Sequence, residues 1–398
     1  MQRRFLLVIL LSLSVCLAWS QKKELSQART YIKSGKDFDK AEKLMVDLLK
    51  NPENRTNPKI YLTLYESVLM QYQAANEKLY LKQKYDTAAF FNLTRRMYQI
   101  TESFDSLDAQ PNKKGKIDPS YRKSHAETMN LMRPNLYFGG TFNLRRNNYA
   151  QAYDFFETYI EADHQPLFTG YDYLKRDTLM PTAAYWATLC GHRMQDVDRT
   201  LKYHKLALED PSKAVYVRQY VCEAYQWQQN DSAYHAALED GFVNHPDYPY
   251  FFPRLADYYN ARGDYESTLK LASNALVHQP NNPLFLLAKS LALLNLERYD
   301  DCITVSKTLI QQCDTLPEAY YNIATCYLNQ ALTLEQKNEP RVYREQIKLF
   351  YTKALPYMES YRKLAQEDKQ RWAPALYRIY LNLNMGKQFE EIDRLMRK

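Results

Sequence analysis

Glycine is scarce, with 9 residues in 398. Parallel-sheet enzymes need glycine turns and runs of β-branched residues, and a chain short of both reads as all-α. Long apolar runs are also missing. After residue 20 no stretch reaches the ~20 residues that a membrane-spanning helix requires, which excludes a transmembrane span. Cysteine is sparse and unpatterned: Cys190, Cys222, Cys302, Cys313 and Cys326 follow residue 20, with no C-x-x-C among them. That pattern is neither a disulfide framework nor a zinc site, and most of these thiols read as buried small side chains.

The signatures of catalysis are absent too. There is no G-x-G-x-x-G, no phosphate-cradling glycine loop, no H-E-x-x-H and no G-x-S-x-G. The seven histidines are scattered, and Cys190 and His192, two apart on one helix, fall on different faces. The chain therefore reads as a non-enzyme with no cofactor and no metal. Its net charge of +7 is mild for this length and its bases are dispersed. The densest run, Lys113-Lys114-Gly115-Lys116, sits in an apparent loop and reads as solvated surface, so nucleic acid is excluded as a partner.

What the chain does have is aromatic side chains, above all tyrosine: 35 Tyr, 16 Phe and 4 Trp. Tyrosine suits helix interfaces, where the ring is buried and the hydroxyl reaches the wet edge. The first twenty residues have the form of an export signal. Arg3 and Arg4 precede an apolar run from Phe5 through Leu17, and Ala18-Trp19-Ser20 supplies the small-x-small cleavage pattern. Cleavage before Gln21 removes two arginines, which lowers the net charge from +7 to +5. Leu13-Ser14-Val15-Cys16 is similar to a lipidation signal, but Val15 is larger than such sites accept, so ordinary cleavage is the expectation.

The remaining residues are periodic. Ala207, Gly241 and Ala275 are 34 apart; so are Tyr225, Tyr259, Leu293 and Tyr327; so are Cys222, Ala256, Ser290 and Ala324. Tyr265 and Tyr299 repeat an aromatic, and Pro246 and Pro280 repeat a terminator. Within one period, Phe252, Leu255 and Tyr259 form the apolar stripe of a first helix and Ala256 permits close approach. Gly263 permits a tight turn, and Leu269, Ala272, Ala275 and Leu276 continue the stripe on a second helix up to Pro280. One such hairpin cannot bury its own stripe and must stack on copies of itself.

On these residues the sequence resembles the tetratricopeptide-repeat family. The matching features are the large-x-x-large-small-x-x-Tyr pattern of Phe252, Leu255, Ala256 and Tyr259, the Gly263-Asp264-Tyr265 turn, and the Ala275 to Pro280 close. Lys289, Leu309 and Asp314 depart from the pattern. The resemblance implies an all-α, right-handed superhelical solenoid of stacked antiparallel helix pairs. The expected organisation is a signal peptide at 1–20, degenerate helical hairpins over 21–132, and an irregular pair with an insertion over 133–180. Four regular units over 181–316 follow, then a unit with an extended second helix and capping helices over 317–398. Pro356 is expected to kink or restart a helix.

In such an array the first helices line the concave face. Periodicity assigns to that face Tyr137, Tyr185, His192, Arg193, Tyr216, Gln219, Trp227, Tyr250, Asp257, Asn260, Leu284, Leu287, Leu291, Leu294, Tyr321 and Asn329. Aromatic and Arg anchors are what protein and peptide interfaces use. The lysine and asparagine clamp by which some tetratricopeptide proteins hold a carboxylate is not matched. Asp-Ser/Thr followed by a small or aliphatic residue occurs five times, placing Thr87, Ser106, Thr178, Ser232 and Thr315 in triplets where roughly one is expected by composition. The triplet resembles the acceptor of an envelope O-glycosylation system of one Gram-negative lineage; Asp-Ser/Thr also starts helices, and both readings stand. The function expected is a non-catalytic scaffold, periplasmic or peripherally associated with the outer membrane, that binds a protein or peptide on its concave face within an assembly or secretion complex. The alternative is a glycan- or nutrient-binding component of an outer-membrane uptake system.

Overall fold

The computed structural model describes residues 21–337 and 340–397; the export signal expected at 1–20 lies outside them. The described residues are helical, without a strand. In order, the helices are α1 (21–33), α2 (Phe38–Leu49), α3 (Pro58–Tyr80), α4 (Thr87–Asp108), α5 (Arg122–Met132), α6 (Pro134–Leu144), α7 (Tyr149–Glu161) and α8 (Tyr173–Arg176). Then come α9 (Met180–Arg193), α10 (Val197–Lys202), α11 (His204–Ala207), α12 (Ala214–Trp227), α13 (Asp231–Asn244), α14 (Phe251–Asn260) and α15 (Tyr265–His278). The last are α16 (Pro283–Asn295), α17 (Tyr299–Gln312), α18 (Pro317–Glu335), α19 (Arg344–Leu364), α20 (Lys369–Asn382) and α21 (Gly386–Met396). Two compact units divide between Tyr234 and His235, within α13.

The period is written in the backbone. The second helices α10, α13, α15 and α17 start at Val197, Asp231, Tyr265 and Tyr299, each 34 residues after the last. Just before them Gln195, Gln229, Gly263 and Glu297 all have positive φ, between 55° and 69°. Each of these residues closes the preceding helix. Gly263 N–H donates to the Asn260 carbonyl and Asp264 N–H to the Tyr259 carbonyl, both at 3.0 Å, and the other three turns repeat both bonds. This is the paired closure that satisfies otherwise orphaned carbonyls at a helix end. The next residue then caps the second helix: Asp196, Asn230 and Asp264 each accept from the N–H three positions on, at 3.0–3.1 Å. Arg298 makes no side-chain cap, so the fourth turn keeps its form on backbone bonds alone.

The same left-handed residue also ends helices where the sequence pattern thins, at Lys82, Asn147 and Asn384. α5 is an additional helix between α4 and α6. α19 runs through Pro356 without restarting, so the proline removes one N–H but does not end the helix, which is held by buried Tyr351, Ala354, Met358 and Tyr361 on both sides of it.

In the unit up to Tyr234, α9 packs on α7, α10, α11 and α12. A Cβ at Gly191 would lie 2.4 Å from the backbone nitrogen of Thr200, so α9 and α10 meet backbone to backbone. In the unit from His235, α15 to α21 pack each on the next in sequence. Their shared core contains Leu293, Ile303, Ile323, Tyr351, Met358, Trp372 and Leu376. All five cysteines among the described residues are free thiols, and only Cys313 is not buried. Burial alone pushes the Cys190 thiol up to about 12.

Gln229→Gly and Glu297→Gly should each raise stability by up to ~1 kcal/mol. The left-handed conformation costs a non-glycine residue ~1–2 kcal/mol, and glycine's added chain entropy offsets part of that gain. Gly263→Ala should lower stability by a similar amount. Urea unfolding midpoints at constant slope measure all three.

Candidate functional site

Two regions of the unit up to Tyr234 bring polar and aromatic chemistry together. The first lies where α9 and α12, successive first helices, face each other. Tyr220 of α12 sits 6.5 Å from Tyr185 and 4.3 Å from His192, ring centre to ring centre, and Trp227 is 5.1 Å from His192. The spacing explains it, since residues seven apart (185 and 192, 220 and 227) share a helix face. His192 Nε2 lies 2.6 Å from Glu223 Oε2, and Gln219 donates to the other carboxylate oxygen at 2.9 Å. The His192 Nδ1 is buried with no hydrogen-bond partner. Burial, reinforced by Tyr185, holds the Tyr220 hydroxyl protonated well above its usual range. On α12, Tyr216 and Trp227 are 42% and 37% exposed. The result is a ridge of aromatic side chains whose orientation is set by a histidine–carboxylate pair beneath it.

The structure sorts the residues assigned to the first-helix face. Tyr216, Trp227, Arg193, Asp257, Leu284 and Leu291 are exposed; Tyr137, His192, Gln219, Asn260, Leu287, Leu294, Tyr321 and Asn329 are half-buried. Tyr185 and Tyr250 are each only 7% exposed, so neither offers its ring to a partner as expected. Tyr185 is covered by Trp186 and Tyr220, and Tyr250 packs edge-on to Phe251. Asn260 accepts from the Thr268 hydroxyl at 2.8 Å, which ties the helix pair together. Tyr321 lies under Tyr361 and the Arg371 guanidinium, so the helices after α18 cover it. Leu287 packs on Leu286, Leu309 and Ala319, and Leu294 joins the shared core, leaving Leu284 and Leu291 as the outer part of the leucine ridge. Trp186, Tyr220 and Glu223 were missed by periodicity, although Tyr220 is one turn from Tyr216 and Glu223 one turn from Gln219.

Of the five Asp-Ser/Thr triplets, Thr178, Ser232 and Thr315 are exposed at or beside turns. Asp86 caps α4 by accepting from Ala88 and Ala89, which puts Thr87 in the first helical turn. Ser106 lies in the last turn of α4, its hydroxyl donating to the Glu102 carbonyl.

The second region was hidden in the insertion between α7 and α9. Residues 166–179 fold against α5, α6 and α7 and border an open cavity of about 430 Å³ lined by Asn130, Arg133, Pro134, Tyr137, Phe138, Tyr159, Tyr171, Tyr173, Arg176, Asp177 and Leu179. Arg133, 5% exposed, forms its inner end. Its guanidinium lies 3.7 Å from the Tyr159 ring centre and 3.9 Å from that of Tyr173, and it pairs with Asp177. Tyr159 also donates to Asp177, and Tyr173 donates to Asn130 Oδ1 at 2.9 Å. The Arg133 Nε is buried without a partner. Burial alone would raise the Asp177 pKa, but the bonds from Tyr159 and Arg133 outweigh it and hold the carboxyl below its usual range. Among the described residues no group of three or more His, Cys, Asp or Glu side chains is placed to hold a metal ion, and no helix is long and apolar enough to cross a membrane.

No family model and no curated protein matches the sequence. Among solved structures, the chain is similar to the C-terminal part of a TPR repeat-containing protein from Cytophaga hutchinsonii. The identity is 12% and the TM-score 0.42, over 64% of this chain and 92% of that one. It is similar at 14% identity to yeast Tom70, with a TM-score of 0.33 over 94% of this chain and 83% of that one. A third is the TPR2AB domain of yeast Sti1 in complex with an HSP90 peptide, at 12% identity and a TM-score of 0.23, over 67% and 97%. These scores are too low to bear on this chain's partner or mechanism. Its class is established by its own helices: an all-α array of helix pairs with a 34-residue period, the architecture of tetratricopeptide repeats.

Asp177→Asn should destabilise the chain by ~3 kcal/mol, because it leaves the Arg133 charge buried and uncompensated. Limited proteolysis within 166–179 and thermal unfolding report it. The sign with pH follows from the depressed pKa. Asp177 contributes its full stabilisation above the ordinary carboxylate value of ~3.9 and loses it as pH falls through its own lower value. Near-ultraviolet circular dichroism should show the tyrosine environment loosening only under acid, and in Asp177→Asn that acid step should be absent.

Proposed function

We propose that the protein is a non-catalytic scaffold that binds a protein or peptide partner along the faces of its first helices. The observation that carries this reading is the α9–α12 ridge, where Trp227 stands exposed against a His192 ring held by Tyr220 and Glu223, and Tyr216 stands exposed on the same helix as Trp227. Large aromatic side chains held in one orientation lose little entropy on binding and are enriched among the residues that dominate interface energetics. The His192–Glu223 pair serves that purpose by fixing the rings rather than by moving a proton to a substrate. On this reading the chain is exported to a bacterial periplasm or the outer-membrane periphery and holds components of an assembly or secretion complex. Support comes from Arg3, Arg4, the apolar run to Leu17 and the Ala18-Trp19-Ser20 site. Exposed Thr178, Ser232 and Thr315 are the acceptors on which glycosylation is expected in that compartment.

Partner capture from the native envelope followed by affinity measurement tests the ridge. Trp227→Ala and Tyr216→Ala should each weaken binding by ~2 kcal/mol, about 30-fold. Tyr250→Ala, which truncates a buried ring, should lower stability without acting directly on the partner. Unchanged affinity in both ridge variants refutes the reading. For export, the mature chain should begin at Gln21, and a mass carrying lipid on Cys16 would point instead to membrane anchoring.

A further inference from the structure

We propose that the cavity walled by segment 166–179 is a second subsite, which takes one aromatic side chain of a peptide partner together with an adjacent carboxylate. The proposal rests on the peptide-binding reading above and supplies the chemistry of the sequence bound. Its volume of about 430 Å³ is within the range of functional pockets, and large enough for one aromatic side chain. The walls are rings whose positions are set by the fold. Tyr171 and Tyr173 stack at 5.5 Å and 29°, Phe168 behind them stacks on buried Tyr98, and Leu174 N–H donates to Asp163 at 3.1 Å. The insertion is therefore a built wall. Opposite it, Phe138 is 53% exposed, and Tyr137 meets it edge-on at 6.2 Å. Edge-to-face and offset contacts with a further ring are what such an arrangement accepts.

Charge selects what accompanies that ring. At the inner end Asp177 already neutralises Arg133, so a cationic ligand finds no free carboxylate there. Of the charged residues lining the cavity, Arg176 is the remaining one; it is exposed and makes no ion pair among the described residues. The lining thus carries one net positive charge over an aromatic cup, which is complementary to Phe, Tyr or Trp flanked by Asp or Glu.

The test uses the full-length mature chain and the blocked pentapeptide acetyl-Gly-Asp-Trp-Glu-Gly-amide, read by saturation-transfer NMR on the indole protons. Two analogues serve as controls, one with Ala in place of Trp and one with Lys in place of both acids. The acidic peptide should bind, the Ala analogue should not, and the Lys analogue should bind roughly fivefold more weakly, the contrast expected for an exposed charge contact. Phe138→Ala/Tyr171→Ala, which truncates one exposed and one half-buried ring, should abolish the signal. Arg176→Glu should reverse the order of the acidic and basic peptides. A signal that survives the double variant, a Lys analogue that binds as well as the acidic peptide, or no binding of any peptide would each overturn the proposal. Trp227→Ala separates it from the broader reading. Loss of partner capture in Trp227→Ala with no peptide binding to the wild type overturns the pocket alone, while intact peptide binding with capture unaffected by Trp227→Ala and Tyr216→Ala overturns the ridge and upholds the pocket.

Discussion

The structure depends on one backbone device, the left-handed residue that closes a first helix and hands the chain to a capped second helix. Without it each hairpin would open, and no apolar stripe would meet a neighbour. Two backbone bonds close the turn, and neither needs a particular side chain. That is why Gln195, Gln229 and Glu297 can occupy the conformation that Gly263 adopts at no cost, and why Arg298 can follow one of these turns without capping the next helix. The energy stored in these turns is small and local, and it is repaid by the stacking that the turn makes possible.

Stacking in turn creates the candidate surfaces. α9 and α12 can approach each other because both bury small side chains, Ala183, Ala184, Ala187 and Cys190 on α9 and Ala214, Val217, Val221, Cys222 and Ala224 on α12, and the residues at the edge of those stripes are the ones left exposed. The His192–Glu223 pair illustrates the division of labour. It sits at the boundary between buried and exposed side chains and fixes rings on both sides of that boundary. The second region arises differently. It is made where the period is interrupted and 166–179 folds back on α5, α6 and α7, anchored by the Arg133–Asp177 pair and by Phe168. An array of identical hairpins has ridges; an open pocket walled by aromatic rings came from the break in the array.

The second helices α10, α13, α15 and α17 recur every 34 residues because the repeat is a property of local bonds and of spacing, which periodicity can read. Periodicity did less well on the face. Tyr185 and Tyr250 occupy positions that face inward in an ideal array, yet Trp186 and Tyr220 cover the one and Phe251 packs against the other. Pairwise shielding of this kind, by the next residue as well as by a residue of another helix, leaves no mark on a periodic pattern. Tyr321 is covered by Tyr361 and Arg371, forty or more residues later in the chain, for the same reason. α5 was not anticipated because its stretch follows a lysine-rich loop and carries only a weak apolar stripe.

What the sequence by itself determined is therefore everything that depends on residues within about one period: the all-α class, the 34-residue pairs, the turn and cap positions, and the burial of most thiols. Those follow from hydrogen bonds and apolar spacing that act over a few turns of chain. What only the tertiary structure decided is which aromatics remain exposed, that Arg133 is held between Tyr159 and Tyr173 against Asp177, and that an interrupted repeat borders an open cavity. Each of these joins residues from elements that no short-range rule relates, and burial, which decides them, is a property of the packed chain.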